Sequence, residues 1–414
     1  MISDLIESTV RESHLPNGIR VATETVPHAY GVAIGIRVHS GSRDEDEQQV
    51  GISHLLEHMF FKGTTLRSAR QIAEEMDAIG GNLDAFTSKE YAGYGSRVLP
   101  EHVPFALELL TDVLRNPRLD EDDLELEKSV VLEEIKGIED SPEEYVHEVF
   151  SASVWPDHPL GRPIIGTPEV VSRLTAEELR EHLTRHYVPE RLVFAASGAI
   201  SHEDFEALVS QHFGDLAGEA LPRSTESPVC RTPRTLLARA TEQTHFCMGL
   251  NALAETDPDR WALRIVNLIL GGGMSSRLFQ EIREERGLCY SIGSDLISFR
   301  EGGLFVIYSD TSPEHVEELE ELARAALHRV TREGVSLEEL RRAKAQVRAA
   351  TLLSLDDVGT RMNRLARSIL YHNRVVPLAD LMSQVDRVTA EDCLRVAERV
   401  FSGSELAFAA IGPF

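Results

Sequence analysis

The chain has 414 residues, 42% hydrophobic and 27% charged, ordinary proportions for a soluble globular protein, and it is long for one hydrophobic core, so two or more domains are expected. Its 42 Lys and Arg against 68 Asp and Glu leave a net charge of −26, which lacks the basic footprint that nonspecific nucleic-acid binding needs and reads as solubility ahead of an acidic chamber for basic peptides. No basic flank precedes an apolar core at the start, and no apolar run approaches the roughly 18 residues of a bilayer span, so a cytoplasmic protein with no membrane contact is expected.

In chain order, Asn17-Gly18 turns into a strand over Ile19 to Thr25, and Val32 to Val38 alternates as a second strand. A helix from His54 to Phe61 follows, carrying His54-Leu55-Leu56-Glu57-His58. The two histidines stand at i and i+4, so both imidazoles leave one face and can meet one cation, with Glu57 on the same face. Neutral imidazole with carboxylate suits zinc, although manganese or cobalt accept the same ligands. A catalytic zinc keeps three protein ligands and an open position for water. Water activated there has a pKa near ~7, Glu57 takes its proton, and the chemistry is hydrolysis.

Ala69 to Ile79 forms the next helix, stopped by Gly80-Gly81, and strands from Asn82 to Thr87 and Tyr91 to Leu99 complete a mostly antiparallel sheet. The third ligand must come from elsewhere, and Leu124 to Ile138 is the best source, with apolar residues at helical spacing and carboxylates between them. Glu134 and Glu127 lie a heptad apart, nearly on one face, while Glu133 points elsewhere. Glu134 is the candidate ligand and Glu127 a hydrogen-bonding or second proton-handling group.

An internal repeat sets the architecture. Residues 171 to 198 and 385 to 412 align without a gap at an offset of 214: Thr175-Ala176-Glu177 matches Thr389-Ala390-Glu391 as a capped helix start, and Leu192, Phe194, Ala195, Ala196 and Gly198 match Leu406, Phe408, Ala409, Ala410 and Gly412 as a closing strand. The expected domains are 1–216 with the metal site and 234–414 without one, joined by a Pro/Ser/Gly-rich linker over 217–233. The second half reads as strands Thr235 to Thr241 and Thr244 to Leu250, helices Pro258 to Ile269 and Ser275 to Glu285, and strands near Tyr290 and Phe305. Where its motif helix should recur, Leu270 to Phe279 has no HxxEH, and Gly271-Gly272-Gly273 fits neither nucleotide-binding glycine pattern. Cys230, Cys247, Cys289 and Cys393 form no CxxC pair and read as reduced, packed thiols. Strands and helices grouped in blocks indicate an α+β fold, each domain a mostly antiparallel sheet covered by helices.

The HxxEH run resembles the inverted-motif zinc peptidases of the M16 family, which includes pitrilysin, insulin-degrading enzyme and mitochondrial processing peptidase, in its short two-domain bacterial type. The family's third ligand follows the second histidine by 76 positions, and 134 − 58 = 76; its auxiliary glutamate falls on Glu127. The resemblance implies a clam-like pair of domains, one zinc ion per chain, and an endopeptidase that cleaves peptides or short unfolded protein segments with metal-activated water. It marks Arg283 and Tyr290, by themselves an ordinary surface arginine and a packed strand tyrosine, as holding the substrate and its developing oxyanion. It also makes Gly81 to Thr87 an edge strand that pairs with peptide, with Asp84, Ala85 and Phe86 as contacts and Asp84 standing where the family often has Asn. A homodimer in which Arg283 and Tyr290 act at the partner's metal is the expected assembly, an inert second subunit the rival. A noncatalytic peptide-binding or partner subunit, or a hydrolase of nonpeptide amides or esters, are the other readings.

Overall fold

A computed structural model of the chain describes residues 8–403 and 405–414. They form two compact units that interleave along the chain. The first takes the chain up to Ile135, Pro163–Ser224 and Leu352–Ala379; the second takes Lys136–Arg162, Thr225–Thr351 and Asp380–Phe414. The spatial units therefore differ from the chain-order halves 1–216 and 234–414, because each half contributes a helix to the other half's sheet. Between them, 217–233 has neither helix nor strand.

In the first unit β1 (Thr9–His14), β2 (Arg20–Thr25), β3 (Val32–Val38), β4 (Asn82–Thr87), β5 (Ala92–Val98) and β6 (Leu192–Gly198) make one sheet in the order β1-β2-β6-β3-β5-β4. Only the β2–β6 pair is parallel. β1 was not foreseen; its exposed TVRESH has no apolar face to betray it. In the second unit β7 (Arg234–Ala238), β8 (Thr244–Ala252), β9 (Cys289–Ser298), β10 (Gly303–Thr311) and β11 (Ala407–Gly412) take the order β7-β11-β8-β10-β9, with only β7–β11 parallel. Without β1 the two sheets are the same design: the last strand of each repeat enters beside the first and runs parallel to it.

The repeated helix starts are built alike. Thr175 accepts a hydrogen bond from Glu178 N while the Glu178 carboxylate accepts from Thr175 N, and Thr389 and Asp392 do the same for the helix Ala390–Phe401. Each sheet has helices on both faces. The first has the helix Val358–His372 across β2, β3 and β6, where Met362, Leu365, Ile369 and Leu370 pack on Ala22, Ala33, Val193 and Ala195. At about 1.5–3 kcal/mol per buried large side chain, those four supply roughly 6–12 kcal/mol, so packing rather than helix propensity holds this segment. Its polar anchor is Glu24, which accepts from Arg364 at 2.9 Å and also pairs with Arg361. The helix Pro142–Val154 plays the matching part in the second unit, laying Val146, Phe150 and Val154 against Cys247, Ala407, Ala409 and Ile411.

β4 and β9 are edge strands. The motif helix, Ile52–Phe60, packs on β4. Arg260–Gly271 packs on β9 in the same way, so the counterpart of the motif helix lies one element earlier than Leu270 to Phe279; WALRIVNLILG likewise has no metal-binding side chain. Ser275 to Glu285 becomes a π-helical stretch over Phe279–Glu285. None of the four cysteines is in a disulfide; Cys247 and Cys393 are buried. Among the described residues, no helix is long and apolar enough to cross a membrane.

Candidate metal centre

The motif helix begins at a buried turn. Gly51 caps it with φ +97°, a left-handed conformation that suits glycine, and an added Cβ would lie 2.7 Å from Ile165 O. Leu55, Leu56, Met59 and Phe60 face the core, which leaves His54, Glu57 and His58 on the remaining, half-buried side. The acidic helix, Glu121–Glu139, runs opposite, buries Leu124, Glu127, Val131 and Ile135, and leaves Glu134 exposed enough to turn toward the histidines.

The three expected ligands meet. His54 Nε2 lies 3.8 Å from Glu134 Oε1 and His58 Nε2 lies 3.7 Å from Glu134 Oε2, with the imidazole centroids 4.7 Å apart. Among the described residues, these are the His, Cys, Asp or Glu side chains grouped closely enough to share an ion, their ligand atoms all within 4.8 Å of one another. The separations are too long for hydrogen bonds. They are close to the roughly 3.4 Å that separates two ligands bound ~2.1 Å from one tetrahedral zinc. Burial and the neighbouring His58 hold His54 down to about 4, so its imidazole is neutral at physiological pH, the form that binds a metal. This donor set fits zinc.

Around the ligands, His58 donates through Nδ1 to Glu127 Oε2 at 3.1 Å, which turns Nε2 toward Glu134. Lys62 Nζ reaches the other Glu127 oxygen at 2.5 Å. His54 has no such orienting contact; its Nδ1 is buried without a partner. Glu57 Oε2 accepts a hydrogen bond from the Thr87 hydroxyl at 2.6 Å, which ties the candidate base to the end of β4. Burial pushes the Glu57 carboxyl above the ordinary range against the opposing pull of Thr87 and His58.

Cross-strand register settles the sidedness of β4. Ala85 opposes Tyr94, which faces Ile36, and Thr87 opposes Ala92, on the motif-helix side. Asp84 opposes Gly95 and Phe86 opposes Gly93 on the other side, where Phe86 lies under the Arg37 guanidinium. Asp84 is exposed, and Ala85 and Phe86 are half-buried.

In the second unit Arg283 and Tyr290 are also brought together. Arg283 Nε donates to the Tyr290 carbonyl at 2.7 Å, and its guanidinium stacks between the Phe279 and Tyr290 rings at 4.6 and 5.5 Å. The Tyr290 side chain, at the start of an edge strand, is 78% exposed and free to meet a ligand. The sequence reading missed Lys62 and Thr87. Lys62 stands four residues beyond His58, a helical spacing that could have flagged it, whereas Thr87 is joined to Glu57 only through the packing of β4.

Two family models match the chain: one described as Insulinase (Peptidase family M16) over residues 20–168, and one described as Peptidase M16 inactive domain over residues 173–347. An "uncharacterized zinc protease" of Streptomyces coelicolor is 40% identical over 98% of this chain and 90% of its own length. An "uncharacterized zinc protease", YmxG of Bacillus subtilis, is 37% identical over 96% and 97%. Among solved structures, a peptidase M16 inactive domain from Pseudomonas fluorescens superposes with a TM-score of 0.92 at 22% identity, covering 98% of each chain. A protease from Helicobacter pylori gives 0.89 at 21%, covering 98% of this chain and 99% of that one. At such identities the two structures speak to the fold alone.

Proposed function

The chain belongs to peptidase family M16, and from that premise we propose that it is a zinc-dependent endopeptidase hydrolysing peptides or short unfolded protein segments, with one zinc per chain held by His54, His58 and Glu134. The observation that carries this reading is the convergence of two imidazole Nε2 atoms on one carboxylate beside a raised, hydroxyl-anchored glutamate. When bound, the ion supplies Lewis acidity that makes water nucleophilic near neutral pH and draws charge from a carbonyl oxygen.

The chain's own residues do the rest. Glu57 takes the proton of the attacking water and returns it to the leaving amine, a role suited to a carboxyl whose pKa burial has raised toward the working pH. Glu127 fixes the His58 ring. The free edge of β4 pairs with the peptide backbone, giving affinity with little sequence demand, and Asp84 adds a negative charge to that edge. Tyr290 donates a hydrogen bond to the developing oxyanion and Arg283 holds the peptide backbone.

In this proposal the enzyme is a cytoplasmic homodimer in which Arg283 and Tyr290 of one protomer serve the metal site of the other. A peptide-library digest with the purified chain tests it. Cleavage that chelator abolishes and zinc restores is expected, with light scattering giving a dimer. A zinc-loaded chain that cuts no peptide defeats the endopeptidase reading, and one that cuts only after a second kind of subunit is added defeats the homodimer.

A further inference from the structure

The motif helix starts without help from its own cap residue, since Gly51 has no side chain to offer. The buried N–H groups of its first turn are met from upstream in the chain. Glu45, 5% exposed, accepts from Gly51 N through Oε2 and from Ser53 N through Oε1, both at 2.8 Å, and the Ser53 hydroxyl bonds it as well. A buried carboxylate bonded bidentately to the first turn holds both the axial position and the rotation of a helix. His54 is the next residue along, and His58 lies one turn further.

We propose that Glu45 is the positioning residue of the metal centre: its carboxylate fixes the start of the motif helix so that both histidine Nε2 atoms aim at Glu134. This rests on the metal-binding reading of that trio. The geometry supports a positioning role beyond plain helix capping. Gly51 leaves no room for a capping side chain, so the anchor comes from the segment upstream, whose carboxylate fixes the helix start through both oxygens; that carboxyl is held out of water, and burial pushes it up to about 7 despite its N–H partners. Ile52, Leu55, Leu56, Met59 and Phe60 seat the other face of the helix on the core, and neither histidine ring is held by more than one side chain, so the aim of the rings follows where the helix starts.

The test compares zinc affinity, by competition with a chromophoric chelator, in the wild-type chain, Glu45→Ala, Glu45→Gln and Ser68→Ala. Ser68 caps the neighbouring helix Ala69–Ala78 through Gln71 N, so its loss reports what simple destabilisation of the same unit does. Glu45→Ala is expected to weaken zinc binding by about 10–100-fold, the usual effect of losing an outer-shell partner. Glu45→Gln, whose amide oxygen can replace one of the two acceptors, is expected to recover part of that loss and carries the test if the alanine variant does not fold. Ser68→Ala is expected to lower the melting temperature with zinc affinity unchanged. Wild-type affinity in Glu45→Gln, or an equal affinity loss in Ser68→Ala, overturns the positioning role alone. A wild-type chain that takes up no zinc overturns the metal reading beneath it.

Discussion

His58 and Glu127 share a hydrogen bond, Nδ1 to Oε2 at 3.1 Å, that joins the motif helix to the acidic helix independently of Glu134. Glu127 is nearly inaccessible, and its second oxygen is taken by Lys62, so this carboxylate is committed to orienting the ring. Removing it by Glu127→Ala is expected to weaken zinc affinity by about 10–100-fold while leaving the ligands themselves in place. Isothermal titration of zinc into the apo chain measures this, and unchanged affinity would remove Glu127 from the metal's support.

Glu57 and the proposed ligand histidines are expected to separate cleanly by mutation. Glu57→Gln keeps zinc but lowers kcat by about 10²–10⁴-fold, the usual worth of a general base, whereas His58→Ala loses zinc and turnover together. Zinc content and cleavage of a quenched peptide report both. Because burial outweighs the opposing pull of Thr87 and His58 and leaves the Glu57 carboxyl above the ordinary glutamate range, kcat/KM falls as pH drops through that raised pKa. The acid limb is therefore displaced upward from that of an exposed glutamate, and an active Glu57→Gln enzyme removes the assigned base.

Glu24 ties a helix from late in the chain to a strand near its start. Burial pushes its carboxyl up, but Arg364 and Arg361 outweigh that and leave it below the ordinary range. A depressed folded pKa gives stability that is present above the unfolded value, near ~4.3, and is lost as pH falls through the folded one. Glu24→Ala, which leaves two arginines without their buried partner, is expected to cost about 3 kcal/mol in urea unfolding at pH 7. It should also flatten the acid side of the stability curve. A cost under ~1 kcal/mol would show that apolar packing alone holds the helix Val358–His372.

The proposed cross-protomer arrangement can be read directly with paired variants. Glu57→Gln and Tyr290→Phe are each expected to be impaired as homodimers. Mixed and exchanged, they should regain activity, because one of the two sites in the heterodimer then has both Glu57 and Tyr290 intact. No recovery after verified subunit exchange places both residues in one chain's site or removes Tyr290 from the chemistry.

Much of this protein is local in origin and was legible from the chain alone. The i, i+4 spacing of His54 and His58 follows from helical pitch. β3 and β4 fell on the expected residues because alternation and glycine punctuation are short-range signals. The repeat at 171–198 and 385–412 foretold matching capped helices and closing strands, and both capping boxes are present.

The pairing of Glu134 with the histidines was already at the edge of local inference, carried by a heptad and a family spacing rather than by any contact the sequence displays. Beyond that edge lie Glu45 under the motif helix, Thr87 against Glu57, Lys62 on Glu127 and Glu24 with its two arginines. The two sheets' exchange of helices belongs there as well. Periodicity determines which face of an element is apolar, so the chain by itself settled strands such as β3 and β4 and the helix face that carries His54, Glu57 and His58. Which polar group meets which across 6 to 340 residues depends on chain closure and core packing, where several acids compete for each partner, and only the folded structure decided it.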